Sequence, residues 1–158
     1  MKKVLYIIPG WKESCNLKRY RLLQDAAQKK GYGVVCAKVD WKKPLSPQVF
    51  TVQKEAVIFG FSLGAILAWF VAQKYPCKQI ILASMTPHHS FTDPKIKKAL
   101  IKLVGKKFVD DIIDNLLKPS HKARKQTILY GDSEEENADI LVPDTEHEIN
   151  EQYIKEVL

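Results

Sequence analysis

A serine between two glycines separates an apolar run from a stretch of helix-forming residues, and this feature constrains the fold most. Residues 60–64 read G-F-S-L-G, residues 55–59 before them are mostly apolar, and residues 63–74 are rich in Ala, Leu and Ile. A strand that turns sharply into a helix at a serine requires small residues two positions before and after it. The pattern therefore predicts a nucleophile elbow that raises the Ser62 hydroxyl above the strand end, where the helix N-terminus favours negative charge.

The size and composition of the chain predict one globular domain over residues 1–158. The chain has 158 residues, of which 46% are hydrophobic, and a domain of this length buries roughly 70% of its unfolded surface. No apolar run approaches the ~20 residues that span a bilayer. The run at residues 4–8 is too short for a secretory signal, so we interpret it as a strand.

Positive charge is in excess but dispersed along the sequence. The chain carries 25 Lys and Arg against 18 Asp and Glu, a net charge of +7. Such an excess can attract nucleic acid or acidic partners. The densest basic cluster, at residues 122–125, has no recognised nucleic-acid-binding motif beside it. We therefore expect a solvated basic surface, with no nucleic-acid and no membrane partner.

The chain contains the three cysteines Cys15, Cys36 and Cys77. An odd, sparse set does not suggest a disulfide framework, so we expect a reducing, cytoplasmic environment. Cys36 lies in a predicted strand and is expected in the core, whereas Cys15 lies in a loop near the predicted site. No spacing of His and Cys indicates a metal site, and no cofactor is implied.

Strands and helices alternate along the chain. Apolar, β-branched runs predict the strands, and helical spacing of apolar residues predicts the helices. The predicted strands cover residues 3–8, 33–39, 56–59, 78–84, 126–130 and 138–142, and the predicted helices cover residues 17–30, 46–54, 63–74, 95–104, 107–117 and 150–158.

This alternation predicts an α/β fold with a doubly wound, mostly parallel six-stranded sheet flanked by helices. The strands are continuous apolar runs, as expected for parallel strands that are covered on both faces. Right-handed crossovers favour the strand order 2-1-3-4-5-6. Active sites of such sheets lie at the carboxyl ends of the strands, so the residues just after each strand are the informative ones.

Residues capable of chemistry follow several of these strands. Ser62 follows the third strand, Asp132 the fifth and His147 the sixth. Serine, then acid, then histidine is the chain order of an α/β-hydrolase triad. Over nearly its whole length the sequence resembles the α/β-hydrolase family, in a minimal version. The resemblance lies in residues 8–11 at the start, 60–64 in the middle, 129–132 late and 145–147 near the end.

The resemblance implies a role for each of these residues. Ser62 would be the nucleophile, and His147 would be the base that takes its proton. Asp132 would hold the imidazole in the required tautomer and stabilise it when it is charged. The backbone N–H groups of Trp11 and Leu63 would form the oxyanion hole.

Other acids and histidines are alternatives for these roles. Asp132 is also explained as a turn aspartate, because Gly-Asp-Ser is turn chemistry. Two of the rival histidines follow the fourth strand, where a hydrolase carries its cap or a substrate-facing segment. The alternatives for the acid are Glu134, Asp139 and Asp93, and those for the base are His88, His89 and His121.

The sequence departs from the common family pattern in two places. Residues 9–11 read Pro-Gly-Trp instead of beginning His-Gly, and we expect the sheet to lack the antiparallel strands that often open the fold. The segment around residues 85–125 is short for a lid and predicts a cap-like helical insertion. Its apolar residues are equally explained by packing in the core.

These features predict a serine hydrolase that cleaves a carboxylic ester or thioester of a small-molecule acyl substrate through an acyl-enzyme intermediate. A serine nucleophile argues against a dehalogenase or an epoxide hydrolase, but a peptidase or an acyltransferase has the same triad. One rival is a non-catalytic binding module on a hydrolase scaffold, which would lack a usable base or acid. A second rival is a basic protein associated with nucleic acid. The oligomeric state is not predicted.

Overall fold

A computed structural model describes residues 2–85, 93–116, 120–134 and 137–158. Within these ranges the chain alternates between strands and helices, as predicted. The strands are β1 Val4–Ile8, β2 Gly33–Cys36, β3 Val57–Phe61, β4 Cys77–Ala83, β5 Ala123–Gly131 and β6 Ile140–Val142. The helices are α1 Lys18–Lys29, α2 Leu63–Lys74, α3 Pro94–Val104, α4 Lys106–Leu116 and α5 Glu151–Val157, and a 3₁₀ turn covers Ser46–Gln48.

The strands form one sheet in the order β2-β1-β3-β4-β5-β6, and every neighbouring pair is parallel. This arrangement confirms the predicted sheet and strand order. Because all strands point the same way, their carboxyl ends share one edge of the sheet. From β1 the chain continues to β2 on one side, and then crosses to β3 on the other side of β1. Open α/β sheets form their ligand-binding crevice at such a reversal of strand order, here between β1 and β3.

Apolar side chains cover both faces of the sheet. Along β1, Leu5 and Ile7 pack with α1 and α5 on one face, whereas Tyr6 and Ile8 pack with α2, α3 and α4 on the other. This alternation follows from the two-residue repeat of a strand. The sheet is buried on both sides, which explains why its central strands are continuously apolar.

The apolar faces of the helices α3 and α4 pack against the protein core. Leu100, Phe108 and Ile112 are buried in the layer that also contains α2, whereas Leu103 is 51% exposed. Among the described residues of the 85–125 segment, core packing therefore accounts for most of the apolar pattern. The predicted positions His88 and His89 lie outside the described residues.

Two elements are shorter than predicted by three residues or more. The second strand ends at Cys36, because β2 is an edge strand with only one neighbour. The predicted helix over residues 46–54 is only a 3₁₀ turn over Ser46–Gln48. The carboxylate of Asp111 accepts hydrogen bonds from the backbone N–H groups of Leu45 and Ser46, both at 2.9 Å, and fixes this turn against α4.

The expectation for the cysteines was wrong in two respects. Cys15 and Cys36 form a disulfide with a Cα–Cα distance of 6.3 Å, which links the loop after β1 to the edge strand. Cys36 is half-buried and does not lie in the core. Cys77 is free and buried, and its burial raises the pKa of the thiol to about 11. The prediction failed because the count of cysteines does not show which of them are neighbours in space.

In the described ranges, no helix combines the length and the apolar character that crossing a membrane requires.

Candidate active site

The predicted elbow is present at Ser62. β3 ends at Phe61 and α2 begins at Leu63, so a single residue makes the turn. Ser62 has a φ of 56° and a ψ of −126°, a combination of backbone angles that residues other than glycine rarely adopt. Its backbone N–H donates to the carbonyl of Ala83 at 2.8 Å, and its carbonyl accepts from Ala65 at 3.0 Å. These bonds to β4 and α2 hold the strained residue in place.

The two glycines of the motif are required by close backbone contacts. A Cβ at Gly60 would lie 2.5 Å from the carbonyl oxygen of Gly64, and a Cβ at Gly64 would lie 2.5 Å from the carbonyl oxygen of Ile8. Real Cβ atoms are not found so close to backbone oxygens. Any larger residue at either position would push α2 away from β1 and β3.

Strained backbone is concentrated at the carboxyl edge of the sheet. In the described part of the chain, the non-glycine residues with positive φ are Lys12, Ser62, Ser84 and Asp144. They follow β1, β3, β4 and β6, respectively. Strained conformations of this kind cluster at functional sites. The distribution therefore marks the same edge that the strand topology indicates.

The loop after β1 lies beside Ser62. A Cβ at Gly10 would lie 3.4 Å from the Cβ of Ser62, so this backbone lies close to the serine. The N–H of Gly10 donates to the hydroxyl of Tyr20 at 2.9 Å. Tyr20 in turn donates to the carboxylate of Glu13, which also pairs with Arg19. These contacts anchor the loop to α1.

The predicted oxyanion donors are the N–H groups of Trp11 and Leu63. Leu63 is the first residue of α2, where backbone N–H groups have no partner within the helix. Among the described residues, neither the Trp11 nor the Leu63 N–H donates a hydrogen bond. Both groups are therefore free to bind an acceptor in the loop region around Ser62.

His147 lies at the same edge and contacts the residue before the serine. Its ring centroid is 4.9 Å from that of Phe61, and its side chain is 51% exposed. The ring of Phe61 also packs against Tyr20 and Tyr153. The described hydrogen bonds include none between Ser62 and His147, so the contact through Phe61 is what relates the two residues.

The carboxylate that pairs with His147 belongs to Glu134. Nδ1 of His147 lies 2.5 Å from Oε1 of Glu134. The other carboxylate oxygen, Oε2, accepts from the hydroxyl of Ser84 at 2.6 Å and from the N–H of Gly131 at 3.0 Å. Burial raises the pKa of Glu134, but the hydrogen bonds from His147, Ser84 and Gly131 outweigh it and hold that pKa below its ordinary value.

The structure thus corrects the predicted partner of the histidine. The carboxylate of Asp132 is exposed, and it accepts from the N–H of Thr145 at 3.2 Å and from Ser133 at 3.4 Å. Asp132 therefore holds the loop that leads to His147, and none of the described hydrogen bonds or ion pairs joins it to the ring. Glu134 was one of the three alternatives for the acid, together with Asp139 and Asp93.

The remaining alternatives have structural roles elsewhere. Asp93 caps the N-terminus of α3, and Asp139 accepts from the N–H of Ile128 on β5 at 2.7 Å. His121 precedes β5, at the opposite edge of the sheet, where its Nδ1 accepts from Ala123 at 3.2 Å. Among the described contacts, no hydrogen bond or ion pair joins any of these three side chains to Ser62, Glu134 or His147.

Gly131 allows the loop with His147 to cross the end of β5. A Cβ at this position would lie 2.6 Å from the carbonyl carbon of Thr145 and 2.7 Å from the carbonyl oxygen of Glu146. The same glycine donates its N–H to Glu134. The turn of residues 131–134 therefore brings the third residue after the glycine, and not the first, towards the histidine.

The sequence analysis did not identify the residues whose hydrogen bonds hold the predicted site residues in place. Ser84 was treated only as the end of a strand, and Glu13, Arg19 and Tyr20 were not singled out. A buried serine directly after a central strand, at the carboxyl edge, is a signal for Ser84. The described residues include no group of three or more His, Cys, Asp or Glu that could hold a metal ion.

Sequence similarity does not relate this chain to a family model or to a curated protein. No protein-family model matches it, and no curated protein matches it at a significant level. The evidence from known proteins is therefore structural.

Several solved structures are similar to this chain. Est1E from Butyrivibrio proteoclasticus has a TM-score of 0.64 at 13% identity, covering 99% of this chain and 85% of its own. A putative hydrolase from Agrobacterium vitis S4 has a TM-score of 0.64 at 12% identity, with 82% and 68% covered. The mouse alpha/beta hydrolase domain-containing protein 10 has a TM-score of 0.61 at 12% identity, with 81% and 68% covered.

Proposed function

Because the chain has the α/β-hydrolase fold, we propose that it is a serine hydrolase that cleaves a carboxylic ester or thioester. Ser62 is the nucleophile, His147 the general base and Glu134 the acid of the triad. The backbone N–H groups of Trp11 and Leu63 bind the oxyanion. The substrate is a small acyl compound, and the reaction passes through an acyl-enzyme.

The proposal is supported above all by a strained serine and a histidine–carboxylate pair that lie at the same carboxyl edge of the sheet. Ser62 has the backbone of an elbow, and His147 is paired with Glu134 at the same sheet edge. The ionised carboxylate only accepts hydrogen bonds, so Nδ1 of His147 carries the hydrogen in this contact. That tautomer leaves Nε2 free to accept a proton, as a general base must.

Acylation follows from these assignments. His147 takes the proton of the Ser62 hydroxyl through Nε2 while Oγ attacks the carbonyl carbon. The carbonyl oxygen becomes an oxyanion, which the N–H groups of Trp11 and Leu63 stabilise together with the N-terminal end of α2. When the tetrahedral intermediate collapses, the bond to the alcohol or thiol breaks and His147 returns its proton to the leaving group.

Deacylation repeats the same steps with water. His147 removes a proton from a water molecule that attacks the acyl carbon, and the second tetrahedral intermediate uses the same two N–H groups. Its collapse releases the carboxylic acid and returns the proton to Oγ of Ser62. In both halves the carboxylate of Glu134 stabilises the imidazolium that forms.

A fluorophosphonate probe tests the nucleophile without knowledge of the natural substrate. The wild-type protein should gain one adduct in its intact mass, and peptide mapping should place it on Ser62. Ser62→Ala should not react, whereas Ser14→Ala, which changes an exposed serine of the loop after β1, should react like wild type. Turnover of simple p-nitrophenyl esters or thioesters by wild type and not by Ser62→Ala would complete the support.

Two outcomes would argue against the proposal. An adduct that persists in Ser62→Ala would move the nucleophile elsewhere. A folded wild-type protein that neither reacts with the probe nor hydrolyses any ester would instead favour a non-catalytic binding module.

A further inference from the structure

Ser84 is a fully buried polar residue directly after the central strand β4. Its φ is 42°, a left-handed conformation that is unfavourable for a serine. Its backbone N–H donates to the carbonyl of Leu129 on β5 at 2.7 Å. The neighbouring strand therefore fixes both the position and the unusual backbone of this residue, and the hydroxyl points to one defined place.

The hydroxyl of Ser84 connects the half-buried carboxylate of Glu134 to the buried hydroxyl of Tyr153. It lies 2.6 Å from Oε2 of Glu134 and 2.8 Å from the hydroxyl of Tyr153 on α5. Tyr153 also donates to the carbonyl of Leu129 at 3.2 Å. The ring of Tyr153 is fully buried, and this burial raises the pKa of its hydroxyl, which therefore keeps its hydrogen.

The direction of these hydrogen bonds follows from the number of hydrogens. A carboxylate only accepts, so Ser84 donates its single hydrogen to Glu134. The contact between Ser84 and Tyr153 then has Tyr153 as its donor. Tyr153 shares this hydrogen between Ser84 and Leu129. The resulting chain runs from Tyr153 to Ser84 to Glu134, and Glu134 accepts from His147 on its other oxygen.

We propose that Ser84 is a positioning residue that holds the carboxylate of Glu134 so that Oε1 faces Nδ1 of His147. This inference rests on the proposed function, in which Glu134 is the acid of the triad. It goes beyond that function because Ser84 touches neither the substrate nor the reacting atoms. Tyr153 acts one step further back, by fixing the direction of the Ser84 hydroxyl.

The need for such a support follows from the length of the glutamate side chain. Glutamate has one more rotatable bond than aspartate, and holding it in one rotamer costs more conformational entropy. Two donors fix Oε2, namely the hydroxyl of Ser84 and the N–H of Gly131. Hydrogen bonds to a charged group are stronger than those between neutral groups. Without Ser84 only one of these donors would remain.

Three variants test the proposal. Ser84→Ala removes the hydroxyl, and Ser84→Gly removes it from a residue that tolerates positive φ, so a shared defect is due to the hydroxyl and not to backbone strain. Tyr153→Phe removes the donor to Ser84. Both Ser84 variants should react with the fluorophosphonate about ten- to a hundredfold more slowly than wild type, the range for a lost hydrogen bond to a charge. Tyr153→Phe should show a smaller loss.

A double-mutant comparison separates positioning from a general structural role. In a Glu134→Gln background, Ser84→Ala should change the labelling rate by less than about twofold, because its effect acts through the carboxylate. Thermal melting of every variant shows whether it is folded at the assay temperature. The same loss on both backgrounds, or a folded Ser84→Gly that reacts at the wild-type rate, would overturn the proposal.

The Nδ1 proton of His147 gives a readout that does not depend on activity. In wild type this proton should appear as a far-downfield ¹H resonance, because it lies in a short hydrogen bond to a carboxylate, and it should disappear in Glu134→Gln. In Ser84→Gly it should shift upfield or broaden. A resonance unchanged in Ser84→Gly would contradict the positioning role even if wild type proved inactive, whereas failure of the proposed function alone would leave the resonance and its response intact.

Discussion

Nδ1 of His147 lies 2.5 Å from Oε1 of Glu134, although Asp132 lies two residues nearer to the end of β5. The turn after the strand explains this relationship. The N–H of Glu134 donates to the carbonyl of Gly131 at 3.0 Å, so the chain folds back on itself. Its side chain then returns over the strand end and accepts from the N–H of Gly131. Asp132 is left at the outside of the turn, where it binds Thr145.

Glu134→Gln and Asp132→Asn form a matched pair, since each replaces a carboxylate by an amide of similar volume. We expect Glu134→Gln to lower kcat for ester hydrolysis by roughly 10³–10⁴-fold, because the imidazole loses the acceptor that sets its tautomer. Asp132→Asn should lose less than about tenfold. The measurement is kcat on a p-nitrophenyl ester, together with the rate of fluorophosphonate labelling. The reverse order of defects would return the role to Asp132.

The histidine variants test the base in the same assay. His147→Ala should lose about 10³-fold or more in kcat, whereas His121→Ala should stay near wild type because His121 lies at the opposite edge of the sheet. His88→Ala and His89→Ala are measured in the same assay, because both histidines were alternatives for the base. A large loss of kcat in His88→Ala, His89→Ala or His121→Ala, together with an active His147→Ala, would contradict the assignment of His147 as the base.

The fold was predictable because its signals are local and repeated. Continuous apolar runs such as residues 56–59 predicted buried parallel strands, and the order of elements predicted the sheet. The predicted end of β2 at residue 39 was wrong, because the strand ends at Cys36. A strand at the edge of a sheet lacks a second neighbour, and the sequence does not show where its pairing stops.

At the candidate site, the sharp backbone turn was predictable from the sequence. Ser62 between Gly60 and Gly64 has a steric reason for each residue. The choice between Asp132 and Glu134 was open, because it depends on how one turn folds back. The support from Ser84 and the disulfide of Cys15 were not visible, because both depend on contacts between residues far apart in the chain.

The carboxylate of Glu134 should make stability depend on pH. Its pKa is held below the ordinary value in the folded state. A group of this kind stabilises the fold above its unfolded-state pKa, about 4.3, and this contribution is lost as the pH falls through the lowered folded-state pKa. The melting temperature of wild type should therefore exceed that of Glu134→Gln by a constant amount above about pH 5, and the difference should shrink below about pH 4. A difference independent of pH would contradict this origin.

The disulfide between Cys15 and Cys36 should stabilise the protein. The two cysteines are 21 residues apart, and closing a loop of this length is worth about 3 kcal/mol in the unfolded chain. The double variant Cys15→Ser/Cys36→Ser should lose about this much free energy of unfolding in urea. Dithiothreitol should lower the stability of wild type and of Cys77→Ala to the same extent, without affecting the double variant. An oxidised protein whose urea midpoint is unchanged by dithiothreitol would count against the disulfide.

The acyl preference should favour short chains. The buried faces of α3 and α4 pack on α2 and the sheet, so in the described residues these helices offer little apolar lining for a long acyl group. We expect kcat/KM on p-nitrophenyl esters to peak at short acyl chains and to fall gradually beyond them. The change should be graded because each buried methylene contributes only about 0.8 kcal/mol. Leu103→Ser, which changes an exposed side chain of α3, should leave the profile unchanged. A profile that rises steadily to long chains would show that an apolar acyl pocket exists, contrary to this prediction.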